Sequence, residues 1–256
     1  MNIQTLKQIK SNFVAVLEKA TSGEQTSLPF IKHHLATASL VKSGDVFQTL
    51  VIGGSLCQKA TMKKEGDQIQ ILNHDQGPQP PFLTKADLMT FLETHINPDV
   101  EVVALNFAYP LTPVLRDGIL EGVLQTGSKE NTFDGLVGMP VGEEIEKYMK
   151  QMHGRTIKVS LANDTICLLL SGLIHHSWDS IAAGVVGTGL NFALFLDKHV
   201  TINLESSEFK DFTPSEAGRE IDRMSAAPGT SLYAKEVSGA YLYNHSNIPS
   251  KKRGLS

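Results

Sequence analysis

Apolar residues return every three or four positions at the start of the chain. Leu6, Ile9, Phe13, Val16 and Leu17 fall on one side of a helix over 4–19, closed near Gly23. The pattern then shortens. SLPFIKHHL, from Ser27, reads as turn-rich. VFQTLVIGGSLCQKATMKKEGDQIQIL reads as two strands joined around Gly53 and Gly54, with Lys63, Glu65 and Asp67 near a second turn. Residues 72–82 carry His74, Pro78, Pro80 and Pro81 and read as a loop. KADLMTFLETHI is helical in period, VEVVALNFAYP is a buried strand ending at Pro110, and VGEEIEKYMKQM is a further helix. KVSLAND then gives a strand, TICLLLSGLIHH a helix, and IAAGVVGTGLNFALFL two strands around glycines. Strands and helices mixed in this order predict a mixed α/β sheet, not a sandwich or a bundle.

Length and charge narrow the picture. A chain of 256 residues with 41% hydrophobic content can bury a sizeable core and fill two lobes. Its net charge of -4 argues against a non-specific nucleic-acid binder, and Lys251, Lys252 and Arg253 read as a solvated terminus. Cys57 and Cys167 lie in apolar surroundings with no metal-ligand spacing, which predicts reduced core cysteines. MNIQTLKQIK lacks the apolar stretch of a secretory signal, and ICLLLSGLI is too short to span a membrane. The expectation is a cytoplasmic protein with no membrane span and no nucleic-acid partner. Rossmann and Walker A fingerprints are both missing.

The candidate chemistry centres on Asn163 and Asp164, which interrupt an apolar segment where a strand meets a helix. Asp164 can cap that helix, with Thr165 sharing the role. It can equally accept the proton of a substrate hydroxyl while Asn163 holds a neighbouring one, since an amide both donates and accepts. Gly187, Thr188 and Gly189 form either a plain hairpin turn or a cradle for phosphate oxygens. Asn191 can be a turn residue, Glu205 an exposed acid, and Lys129 a loop lysine; each also has a polar ligand as its alternative.

Taken in order, SLPFI, VFQTLVIGGSL, NFAYP, GSKENTFDGLVG, VSLANDTICLLLSG, VVGTGLN, TINLESSEF and APGTSLYAKEVSGAYL resemble the hexokinase family over about residues 27–243. The resemblance implies a two-lobed actin-like ATPase (ribonuclease H-like) fold, with ATP and Mg2+ as cofactors and a hexose as substrate. Asp164 would then be the base that deprotonates the attacking sugar hydroxyl, with Lys129 as a second catalytic group. Ser128, Lys129, Asn163, Asn191 and Glu205 would contact the sugar. Gly53, Gly54 and Ser55 would form the first phosphate loop, and Gly187, Thr188 and Gly189 the second. No residue is carried over as a direct metal ligand.

The same resemblance exposes departures. Val51 stands where the family has an acid that helps arrange hydrated magnesium, and Leu56 and Gln58 replace its usual asparagine and arginine. Ala234 precedes Lys235 where the family has a sugar-binding glutamate, and Glu236 is displaced from that place. Family members continue well past Ser256, so the second lobe is expected to be incomplete, with self-association or a missing C-terminal region covering it. The expected division is an N-terminal helical segment 1–37, a small lobe 38–155 and a partial large lobe 156–256. The alternative to a kinase is a catalytically impaired sugar-binding or regulatory descendant.

Overall fold

The computed structural model describes residues 3–36, 38–53, 56–127, 130–187 and 189–252. In chain order these form α1 (Ile3–Thr21), β1 (Ile31–His34), β2 (Val46–Ile52), β3 (Leu56–Glu65), β4 (Gln68–Pro78) and α2 (Lys85–His95). Next come β5 (Val102–Phe107), β6 (Leu111–Arg116), β7 (Ile119–Leu124), α3 (Val141–His153), β8 (Lys158–Ala162) and α4 (Asp164–Ser171). The last are β9 (Ala182–Val186), β10 (Leu190–Asp197), β11 (Val200–Asn203), α5 (Glu216–Met224), α6 (Leu232–Val237) and α7 (Gly239–Lys252). Two compact units emerge: residues 33–170, and residues up to 32 together with those from 171 onward.

The unit of residues 33–170 is built on a five-stranded sheet ordered β4-β3-β2-β5-β8. The pairs β2–β3 and β3–β4 are antiparallel, while β2–β5 and β5–β8 are parallel. The parallel strands read VVALNF and KVSLA because one sheet face there is buried and the other is largely half-covered. Beneath them Phe82, Phe107, Tyr109 and Phe133 interlock, with Tyr109 and Phe133 edge to face at 4.7 Å. Thr84 and Asp87 close a reciprocal capping box at the start of α2.

One expectation fails in this unit, and one element goes beyond the sequence reading. Residues 72–78 are strand, not loop, because β4 continues to Pro78 along β3 after a bulge. Met62 faces Ile71 and Thr61 faces Asn73, so Leu72 is the extra residue. Every position of β4 except Gly77 is exposed, which leaves no alternation for a sequence reading to find. The hairpin β6–β7 was not expected either. Its turn is Asp117-Gly118, with φ of 52° and 77°, the left-handed pair that a two-residue hairpin requires.

In the other unit, β9, β10 and β11 pair antiparallel within a four-stranded sheet ordered β1-β11-β10-β9. SLPFIKHHL is therefore not only turn, since Ile31–His34 is a strand. The apolar face of α1 packs here: Ile9, Val16, Leu28 and Phe209 form one cluster, flanked by Phe13, Phe212 and Tyr233. Helix α4, which belongs to the unit of residues 33–170 up to Leu170, is shorter than TICLLLSGLIHH suggested, giving way at Gly172 to a 3-10 turn over Gly172–Ile174.

The compact units are drawn differently from the segments 1–37, 38–155 and 156–256. Helix α1 joins residues 209–233 through its apolar cluster, and β8 stays with the earlier strands through its ladder to β5. Among the described residues no helix is long and apolar enough to cross a membrane.

His33 is 4% exposed, and its Nε2 has no hydrogen-bond partner among the described residues. Burial pushes its pKa down to about 4. Above the ordinary histidine range both folded and unfolded chains hold it neutral, and its titration adds no pH dependence. As pH falls below about 6.5 the unfolded chain takes the proton first, so stability falls until about pH 4, by about 3 kcal/mol in all. Urea denaturation at pH 7 and pH 4.5 should show this loss, and His33→Gln should remove most of it. Equal slopes in the two proteins would refute it.

Candidate functional site

The junction between β8 and α4 places two polar side chains at the carboxyl end of a parallel strand. Asn163 is 8% exposed and accepts from the backbone N–H groups of Thr165 (3.1 Å) and Ile166 (3.2 Å). Those are donors that a helix start leaves without intrahelical partners, so Asn163 provides the cap. Asp164 is held differently. Its Oδ1 accepts from Asn163 Nδ2 at 2.8 Å, Thr165 N at 2.8 Å and Thr165 Oγ1 at 3.2 Å. Among the described residues Oδ2 takes no hydrogen bond. The carboxylate is thus fixed by one oxygen and open at the other. Cys167, one turn on, is kept protonated: burial, with the Asp164 charge second, pushes its pKa up to about 12. Both cysteines are free.

A second polar set lies in the unit that begins again at residue 171. Asn191 on β10 and Asn203 on β11 are joined by Asn191 Nδ2 donating to Asn203 Oδ1 at 2.5 Å. Asn203 Nδ2 then donates to Glu205 Oε1 at 2.7 Å. Asn191 Oδ1 accepts from Phe192 N at 2.8 Å and Ser206 N at 3.2 Å. Glu205 itself is left-handed, with φ of 46°. Asn203 was missed in the sequence; the available signal was an amide two residues before an acid in TINLE.

Several polar groups of the glycine turns are committed within the protein. Gly53 N donates to Leu56 O at 3.3 Å, and Gly53 O accepts from Gln79 Nε2 (2.8 Å) and Tyr109 Oη (2.6 Å). Gly187 N donates to Gly189 O at 3.0 Å, and Gly187 O accepts from Gly239 N at 2.7 Å. Space around Gly187 and Gly189 is open, since a Cβ at either would meet nothing within 4 Å. Gly54, Ser55, Ser128, Lys129 and Thr188 lie outside the described residues.

The departures have structural counterparts. Val51 sits in register with Gln58 and Asn106, and Asn106 Oδ1 is buried without a partner among the described residues. No group of three or more His, Cys, Asp and Glu among the described residues could hold a metal ion. Lys235 is 3% exposed and donates to Asp222 Oδ1 (2.6 Å) and Ala227 O (2.7 Å), which pins the segment between α5 and α6. That hydrogen bond holds the Asp222 carboxyl below its usual range. Glu236 does not restore the acid missing at Ala234: its Oε2 accepts from Ser215 N at 3.2 Å, at the start of α5.

No family model matches the chain. It is similar to hexokinase-9 of Oryza sativa subsp. japonica, at 31% identity over 51% of this chain and 29% of that protein. Hexokinase-5 of the same organism is 25% identical over 93% of this chain and 53% of its own length. The hexokinase of Emericella nidulans is 27% identical over 93% and 55%. The chain thus spans about half, or less, of these curated relatives. Among solved structures, a hexokinase from Schistosoma mansoni complexed with glucose superposes with a TM-score of 0.75 at 16% identity, over all of this chain and 64% of that one. A second hexokinase crystal structure gives 0.67 at 18% identity, over 95% and 61%. The likeness to these two establishes the fold, an actin-like ATPase fold of the kind sugar kinases use, with mixed α/β sheets.

Proposed function

Because this chain is a homologue of the hexokinases, we propose that it binds a hexose and acts in its ATP-dependent phosphorylation, with Asp164 as general base. The observation that carries the proposal is the asymmetric fixing of Asp164: among the described residues, three donors on Oδ1 and none on Oδ2. Oδ2 accepts the proton of the attacking hydroxyl, while the tethered Oδ1 keeps the carboxylate from rotating away. Asn163 Nδ2 has a second N–H, which can donate to a neighbouring hydroxyl. Asn191, Asn203 and Glu205 present amides and a carboxylate, the mixed donors and acceptors that polyols need. ATP, when bound, supplies the phosphoryl group.

The residues present do not fit a directly held Mg2+. Val51 has no oxygen to offer where an acid would be needed, so no step is routed through the metal. The open space around Gly187 and Gly189 fits close approach of a phosphate. Asp164 and Glu205 variants test the hexose reading by calorimetric glucose titration: Asp164→Leu and Glu205→Ala should each weaken binding, and unchanged affinities would refute it.

Val51 favours a second reading, a sugar-binding descendant with weakened phosphoryl transfer. Replacing it brings a carboxylate beside Asn106. In a hexose phosphorylation assay, Val51→Asp should raise turnover by about tenfold or more if that lost charge limits the reaction. No gain in a folded variant would favour the binding reading.

A further inference from the structure

We propose that Asn203 is a positioning residue that aims the Glu205 carboxylate at a hexose hydroxyl; this rests on the sugar-binding reading above. The direction of the hydrogen-bond chain is forced. Phe192 N and Ser206 N can only donate, so the Asn191 side chain must turn its oxygen to them. Its NH2 therefore faces Asn203, which must answer with Oδ1. The NH2 of Asn203 is then left for Glu205, whose carboxylate accepts when ionised. Backbone donors thus set both amides, and the second amide sets the acid.

Burial and backbone strain make this more than a surface contact. Asn203 is 3% exposed, so an unpaired amide there has no water to replace Glu205. Glu205 has φ 46° and ψ 53°, a conformation a non-glycine residue keeps only when its surroundings over-determine it. Asn191 holds the main chain just after it through Ser206 N, and Asn203 holds its side chain. One residue is gripped from two sides.

Asn203→Asp is close to isosteric and keeps the acceptor for Asn191, but it sets a carboxylate against Glu205. The expected result is a loss of about tenfold or more in glucose affinity by calorimetry, with a lower melting temperature. The double variant Asn203→Asp/Glu205→Gln should recover the melting temperature, because the new amide donates to the new carboxylate, yet should not recover glucose affinity. A purely space-filling Asn203 would show neither the loss nor the rescue. Wild-type glucose affinity in Asn203→Asp, or additive melting effects in the cycle, would overturn the proposal. Should the unsubstituted chain bind no hexose, the hexose reading fails separately. The melting cycle then decides alone: additivity overturns the coupling of Asn203 to Glu205, and rescue upholds it.

Discussion

Asp164→Asn should lower hexose phosphorylation by roughly a hundred- to ten-thousand-fold while leaving glucose affinity within about tenfold. An amide oxygen in that place still accepts from Thr165 N, Thr165 Oγ1 and Asn163 Nδ2, the three donors that hold Oδ1. What it cannot do is take a proton from an alcohol. The substitution therefore separates holding from activating. The cap is safe as well, because Asn163 receives the N–H groups of Thr165 and Ile166.

Asp164→Leu is the contrasting variant. It removes the Asp164 acceptor from all three donors, leaving Thr165 N only Asn163 Oδ1, and should cost about 1–3 kcal/mol in urea denaturation, in addition to the loss of turnover. The decisive assay is phosphorylation of a hexose panel by the 256-residue chain with Mg-ATP. Turnover that survives Asp164→Asn would remove this residue from the role of base. Turnover missing from the folded, unsubstituted chain would shift the weight to the sugar-binding reading that Val51 supports.

How far these features could be read from the sequence depended on whether their cause was local. The parallel strands over Val102–Phe107 and Lys158–Ala162 announce themselves because one face is buried and the other at least partly covered over most of their length, and the strand-to-helix break at Asn163-Asp164 follows directly. Strand β4 did not, because an exposed edge strand needs no apolar period; its shape comes from the ladder to β3. The Asp117-Gly118 turn was a local signal that went unread. The grouping of α1 with residues 209–233 was beyond local pattern, since it rests on contacts such as Phe13 with Phe209, 5.0 Å apart by ring centroid. The same distinction runs through the site. Asp164, Asn191 and Glu205 stand out by residue type, whereas Asn203 gains its importance only from neighbours on another strand and in the following turn. The commitment of the Gly53 and Gly187 amides to their own turns is likewise a fact of geometry that a glycine count cannot supply.

Glu121→Ala should destabilise the chain by about 3–5 kcal/mol, the cost of removing one partner from a buried charged network. Glu121 is 2% exposed and serves the start of α3 from the neighbouring strand β7. Its Oε1 accepts from Gly122 N (2.8 Å) and Gly142 N (2.9 Å), and its Oε2 from Glu143 N (2.8 Å). Arg116 Nε lies 3.5 Å from the same carboxylate, and its Nη2 reaches Glu146 Oε1 at 2.8 Å. Alanine would strand three backbone donors and leave Arg116 only its contact with Glu146. Gly142 shows how tightly the carboxylate is packed: a Cβ there would sit 2.8 Å from Glu121 Oε2. Glu146 Oε1 also accepts from Val159 N at 2.8 Å, so the network extends from α3 into β8. Strand β8 ends at Ala162, immediately before Asn163 and Asp164. Weakening the α3 start should therefore reduce hexose phosphorylation at urea concentrations that leave the unsubstituted chain intact. Lys147→Ala is the control: its ammonium is half exposed and pairs with Glu143 and Glu144, and its loss should shift the urea midpoint far less. Equal urea midpoints for Glu121→Ala and Lys147→Ala would show that the carboxylate does not hold α3 in place.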